Sequence, residues 1–140
     1  MKYLFSLIIP FFVVFPALAG EKTYGDLTGT VVSVHDGDTM TVTIPDVPPL
    51  LGENISVRVR GIDTPEMHDA RPEIHALAVQ ARDLVRGWCP VGSPVGLHDA
   101  ARGKYFRIVA TPICGDVDVA AELLKSGLAH PYDGGTKITW

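Results

Sequence analysis

The chain has 140 residues, a length that fits one domain. It carries 12 Lys and Arg against 16 Asp and Glu, a net charge of −4. That balance is a poor one for a broad, charge-neutralising grip on polyanions, so any work on nucleic acid must rest on a local basic patch or a metal ion.

The first predicted element is a leader. "MKYLFSLIIPFFVVFPALAG" opens with Lys2, stays uncharged and apolar from Tyr3 to Leu18, and closes on Ala17-Leu18-Ala19. This small-x-small pattern suits signal peptidase. The competing reading is a transmembrane anchor, but the run falls short of the ~20 residues a span needs, and Pro10 and Pro16 interrupt it. Residues 1–19 are therefore expected to be a signal peptide, and 20–140 an exported domain, periplasmic or secreted, with no membrane association after cleavage. Loss of Lys2 leaves 11 basic against 16 acidic residues, or −5. Export also favours a disulfide between Cys89 and Cys114; two separate buried thiols are the alternative. Their spacing does not resemble a zinc or C-x-x-C site.

"LTGTVVSVHD" (27–36) is rich in β-branched residues and ends at Asp36-Gly37, a strong turn signal. "TMTVTI" (39–44) alternates, with Met40, Val42 and Ile44 on one face. "PDVPPLLGEN" (45–54) reads as a loop, either a cover for a groove or a plain hairpin connection. "ISVRVRGI" (55–62) alternates again, setting Ile55, Val57 and Val59 against Ser56, Arg58 and Arg60. A helix follows from Pro72, with Ile74, Leu77, Ala78, Ala81, Leu84, Val85 and Trp88 as its stripe and Gly87 and Pro90 as its stop. "VGL" (95–97) predicts a short strand. "KYFRIVATPI" (104–113) predicts a longer one, with Tyr105, Arg107 and Val109 sharing a face. "VDVAAELLKSGLAH" predicts a second helix with Val119, Leu123 and Leu124 inward and Gly127 at its end. The tail "PYDGGTKITW" is turn-rich. This order predicts an α+β, mainly β domain: a five-stranded OB-fold Greek-key barrel with two packed helices.

Two short stretches, "VHDGDT" and "GIDTPE", concentrate carboxylates at turns. Asp38 starts one strand and Asp63 follows another, and strand ends in a meander can meet. Two carboxylates with a threonine and waters would suit Ca²⁺, which takes six to eight oxygens. Each Asp taken singly is more often a turn former. Asp36 is read as a turn residue, and the five histidines show no paired metal spacing. Arg58 beside such acids is as well explained by a simple ion pair. Arg107 raises the odds of a shared pocket, since two guanidinium groups can bind phosphate oxygens bidentately. Glu66 could orient or deprotonate a water.

"DGDT", then "RVRGIDTPE", then "GKYFR" resemble the signature set of staphylococcal nuclease and its homologues, over about Leu27 to Tyr132. The resemblance implies an OB barrel with helices that hydrolyses DNA and RNA with little sequence specificity and leaves 3′-phosphates. It implies Asp38, Asp63 and Thr64 as calcium ligands, Thr64 through its backbone carbonyl. It implies Glu66 as the proposed general base, Arg58 and Arg107 on the scissile phosphate, and Lys104 and Tyr105 near a terminal phosphate. Tyr132 could stack on a base or simply pack on the barrel. Phe106 departs from the family, where a glycine precedes the second arginine. The expected protein is thus a monomeric exported nuclease with DNA, and RNA as a second substrate, as partners. Its rivals are a non-catalytic OB module that binds nucleic acid or nucleotides, and an inert periplasmic domain.

Overall fold

The structure is a computed structural model that describes residues 21–140; the expected signal peptide lies outside the described residues. Strand β1 spans Leu27–Asp36, β2 Thr39–Thr43, helix α1 Pro49–Gly52, β3 Ile55–Val59 and β4 Ile62–Asp63. Helix α2 spans Pro72–Trp88, β5 Pro94–Arg102, β6 Ile108–Cys114, β7 Val117–Asp118, α3 Val119–Lys125 and β8 His130–Pro131.

Antiparallel pairings run β3 to β2 to β1 to β5 to β6, and a parallel pairing of β3 with β6 closes the ring. The result is a closed five-stranded mixed barrel, an OB-fold, as the element order predicts. Its interior is filled by the faces the alternation picks out: Met40, Val42 and Ile44 from β2 and the segment after it, and Ile55, Val57 and Val59 from β3. Val31, Val95, Leu97 and Ala110 complete the layer. Register shifts in β1 and β5 supply the bends a small barrel needs.

Helix α2 packs on β1, α3 packs on β6, and the two helices touch. Pro72 occupies the first turn of α2, where its missing N–H costs nothing. Asp118 caps α3 by accepting from the Ala121 amide at 2.9 Å. Gly127, at φ +74, ends α3, and the Leu128 amide turns back to the Leu123 carbonyl. Cys89, just past α2, and Cys114, at the end of β6, form a disulfide with Cα atoms 5.4 Å apart. By chain entropy a loop of this length stabilises the fold by about 3 kcal/mol. Among the described residues no helix is long and apolar enough to cross a membrane.

Four local expectations are corrected. The strand expected at 95–97 is the nine-residue β5, which a bulge at His98–Ala101 carries past the polar His98-Asp99. Lys104 to Arg107 belong to a turn rather than to β6, since Tyr105 and Phe106 both take left-handed backbone (φ 55 and 54). Tyr105, Arg107 and Val109 therefore do not share a strand face. Leu84 and Leu124 are exposed, so each helical stripe is narrower than the periodicity alone indicates. The loop at 45–54 contains a third helix, the single turn α1.

The β1–β2 turn is held by a close approach. A Cβ built on Gly37 would sit 2.8 Å from the Ala81 Cβ and 3.0 Å from the Thr64 Cγ2. No side chain fits between this turn, helix α2 and the segment after β4. Gly37→Ala is expected to destabilise the protein by about 1–3 kcal/mol in urea unfolding. Gly87→Ala is the matched control: it lies in α2 with open space around it. That change should stabilise by about 0.5–1 kcal/mol.

Candidate functional site

The barrel register assembles the site. Thr39 pairs with Arg58, so Asp38, in the turn before β2, lies beside the Arg58 side chain. After β3 the chain reverses at Gly61 (φ +76) and returns Asp63 to the same place. The Arg58 guanidinium then joins both acids: Nη1 contacts Asp38 Oδ2, and Nη2 reaches Asp63 Oδ1 at 3.1 Å and the Ile62 carbonyl at 3.2 Å. Asp38 is further fixed by donors from the Thr64 amide at 2.9 Å and the Thr39 hydroxyl at 2.9 Å. Asp38, Asp63 and Thr64 are the buried polar residues of the described chain, at 5, 3 and 1 % exposure. Burying two carboxylates is costly unless they are neutralised and hydrogen-bonded. Here Arg58 supplies one positive charge to the pair, and the hydrogen bonds fix it.

The parallel β3–β6 pairing sets Val57 opposite Ile108, so Arg107 arrives one residue before that register. Arg58 and Arg107 open onto one cleft of about 550 Å³, which Arg60, Arg102, Lys104 and Tyr132 also line. Five of the chain's 12 basic residues thus converge on one concave surface of an acidic protein. This is the local patch that the net charge demands of a polyanion binder. Burial lowers the pKa of Arg58 from its ordinary value; Asp63 opposes that shift and nearby Arg107 adds to it.

Glu66 lies beyond the buried pair, exposed, with its Oε1 accepting from Lys137 Nζ at 2.7 Å. The same ammonium is 3.0 Å from Asp63 Oδ1. Partial burial works against the charge on Lys137, but its bonds to Glu66 and Asp63 outweigh it and raise its pKa. Asp36 is not in this cluster. Its Oδ1 accepts from the Met67 amide at 3.2 Å and ties the post-β4 segment to β1. Tyr105, at 91 % exposure, projects from the turn before β6. Phe106, also exposed, lines an apolar recess of about 220 Å³ with Leu51 of α1, next to Arg102 and Arg107. The loop at 45–54 thus walls this recess rather than the acid cluster.

The structure brings together Arg58, Asp38, Asp63, Thr64 and Glu66, and sets Arg107, Lys104 and Tyr132 around the adjoining cleft. Sequence reasoning missed Lys137 and Trp140. Both sit in a polar tail without periodicity, and only the β4–β8 pairing carries that tail to the acids. It also missed Arg60 and Arg102 in the cleft; the alternation of β3 held the only hint, for Arg60.

The donor set fits a hard cation. Two buried carboxylates converge, the Thr64 hydroxyl is buried without a hydrogen-bond partner, and an ammonium already stands between Asp63 and Glu66. All the donors are oxygens, which suits calcium rather than zinc or copper. Among the described residues no three acidic, imidazole or thiol side chains form a ready cage. A cation here would therefore draw on backbone carbonyl, water or substrate oxygens as well.

A family model described as "Staphylococcal nuclease homologue" matches residues 56–137. A protein named "Probable endonuclease LCL3" from Verticillium alfalfae is 36% identical over 96 residues, covering 65% of this chain and 33% of its own length. The protein of that name from Colletotrichum graminicola is 30% identical over 146 residues, covering 89% of this chain and 52% of its own. That from Pyricularia oryzae is 29% identical over 127 residues, covering 76% and 49%. This chain thus spans between a third and about half of the length of these curated relatives. The family match includes Arg58, Asp63, Thr64, Glu66, Arg107 and Lys137, and its barrel segments are those that build the cleft. The chain belongs to the staphylococcal nuclease homologue family.

Proposed function

We propose that this protein is an exported, calcium-dependent nuclease that hydrolyses phosphodiesters of DNA, and of RNA as a second substrate, with little sequence specificity. One observation carries the reading: Arg58, which spans a buried pair of carboxylates, also lines a cleft together with Arg107. The name of the relatives, probable endonuclease, supports the same reaction class. Export rests on the leader pattern of residues 1–19, and the disulfide accords with an oxidising compartment.

In this reading Asp38, Asp63 and the Thr64 backbone carbonyl hold the cation, which would supply divalent positive charge against the phosphate as negative charge grows on it. Arg58, which spans the acid pair, would direct its Nη donors to the phosphate oxygens if a cation met the charge of those acids. Arg107 approaches from the other wall, and two forked guanidinium groups fix the orientation of the ester. Glu66 lies at the exposed rim and orients or deprotonates the attacking water. Lys104 lines the cleft and Tyr105 follows it in the exposed turn, the pair that would meet a terminal phosphate, and Tyr132 in the cleft offers a face to a base. Departure of the 5′-oxygen leaves a 3′-phosphate. None of these contacts reads base edges, which fits low sequence specificity.

The rival is a module that binds nucleic acid without cleaving it. Plasmid digestion by purified protein separates them, with Ca²⁺, with chelator, and with Glu66→Gln and Arg107→Ala. Chelation should stop cleavage. Each substitution should lower its rate by about 10²–10⁴-fold while circular dichroism stays native. Binding that survives in a wild type unable to cleave would establish the rival. Because the net charge is acidic and the basic surface local, substrate capture should weaken steeply with salt. A cleavage rate flat across a salt series would contradict that.

A further inference from the structure

Segment 134–140, beyond β8, returns to the acid cluster. Lys137 Nζ stands 2.7 Å from Glu66 Oε1 and 3.0 Å from Asp63 Oδ1. The segment is anchored at three more points. The Trp140 Nε1–H donates to Asp63 Oδ2 at 3.4 Å. Its indole stacks on His130, with ring centroids 3.9 Å apart and planes 21° from parallel. The Trp140 carbonyl accepts from Arg71 Nη1 at 2.8 Å, and Arg71 is itself gripped by Asp69 through Nε at 3.0 Å and Nη2 at 2.7 Å.

Asp63 is therefore engaged on both oxygens. Its Oδ1 takes Arg58 and Lys137, and its Oδ2 takes Trp140. An ammonium between two carboxylates satisfies the same oxygen lone pairs that a hard cation needs. The two compete for them.

We propose that Lys137 sets the metal affinity of this site as a built-in competitor, carried on a strap formed by residues 134–140. The inference rests on the calcium reading above. A tethered competitor acts at a high effective concentration, so even a modest ion pair lowers the apparent affinity for a free cation. The free cation prevails because it carries twice the charge and gathers more oxygens than one ammonium can. Its binding is then coupled to release of Lys137 and of the Trp140 contact with Asp63. By reciprocity, whatever holds the strap down weakens the metal, and whatever lifts it strengthens the metal.

The test is calcium titration of the purified protein by calorimetry and by tryptophan emission. Lys137→Met keeps the stem length and removes the charge; it should tighten calcium binding about tenfold, the reciprocal of the open-strap population. Lys125→Met makes the same charge change in an exposed pair with Glu122 and should leave the affinity unmoved. Calcium should shift the emission of the wild type, and Trp140→Phe should abolish that shift while Trp88 remains. Equal calcium affinity in wild type and Lys137→Met would overturn the strap and leave the metal site standing. An equal gain from Lys125→Met would also overturn it, by assigning the effect to bulk charge. Absence of calcium binding in both the wild type and Lys137→Met would overturn the strap and the calcium reading together.

Discussion

One guanidinium shared by two buried carboxylates is the interaction on which the rest depends. Asp38 and Asp63 lie 25 residues apart in a barrel otherwise filled by aliphatic side chains. Two acids at such depth repel each other and lose their hydration. Arg58 resolves both problems because its donors lie in a rigid fork that reaches the two acids at once. The geometry is not a loop accident. The fork is set by strand register, Thr39 against Arg58, and by the Gly61 reversal that brings β4 back beneath β3. Losing the guanidinium would leave buried negative charge beside the core, so fold and site are held by the same contact.

Closure of the barrel places the second half of the site. β3 is paired antiparallel to β2 on one edge and parallel to β6 on the other. Its side chains on the outer face therefore stand between the acids of the β1–β2 turn and the arginine before β6. Arg58 belongs to both neighbourhoods, and this is why the acid pair and the basic cleft are contiguous. The tight fit at Gly37 completes the arrangement from below, pressing the Asp36–Asp38 turn against Thr64 and α2.

The barrel was legible in the sequence wherever burial had a simple period. Met40-Val42-Ile44 and Ile55-Val57-Val59 alternate because one face of each strand meets the core, and both sets are buried. The aspartates were legible through turn chemistry, since Asp36-Gly37 and the Thr-Pro after Asp63 mark where strands stop. Periodicity failed at "KYFR", where a β-rich composition hides a turn with two left-handed residues. Hydrophobicity could not reveal that backbone, because aromatic residues occur there only under tertiary constraint. It failed again at β5, whose polar middle is carried through a bulge. The tail was opaque for a different reason. Lys137 and Trp140 form no local pattern, and their roles exist only because His130 and Pro131 pair with Asp63 and Ile62. Long-range contacts of that kind leave no spacing to read.

The charges of the cluster tie these pieces into one electrostatic argument. Asp38, Asp63 and Glu66 contribute three negative charges, and Arg58 and Lys137 return two positive ones. The closed cluster is therefore anionic by one unit, and it stands against a cleft lined by Arg102, Lys104 and Arg107. If the proposed function holds, such a cluster would repel a phosphodiester at the one place where the ester would have to meet Arg58. If a divalent cation takes the place of the ammonium, the three carboxylates, Arg58 and the cation sum to zero. The repulsion is then gone while the attraction of the cleft remains. On the proposed reading, the acidity that disfavours a broad grip on polyanions would at this one point make substrate entry depend on a cation.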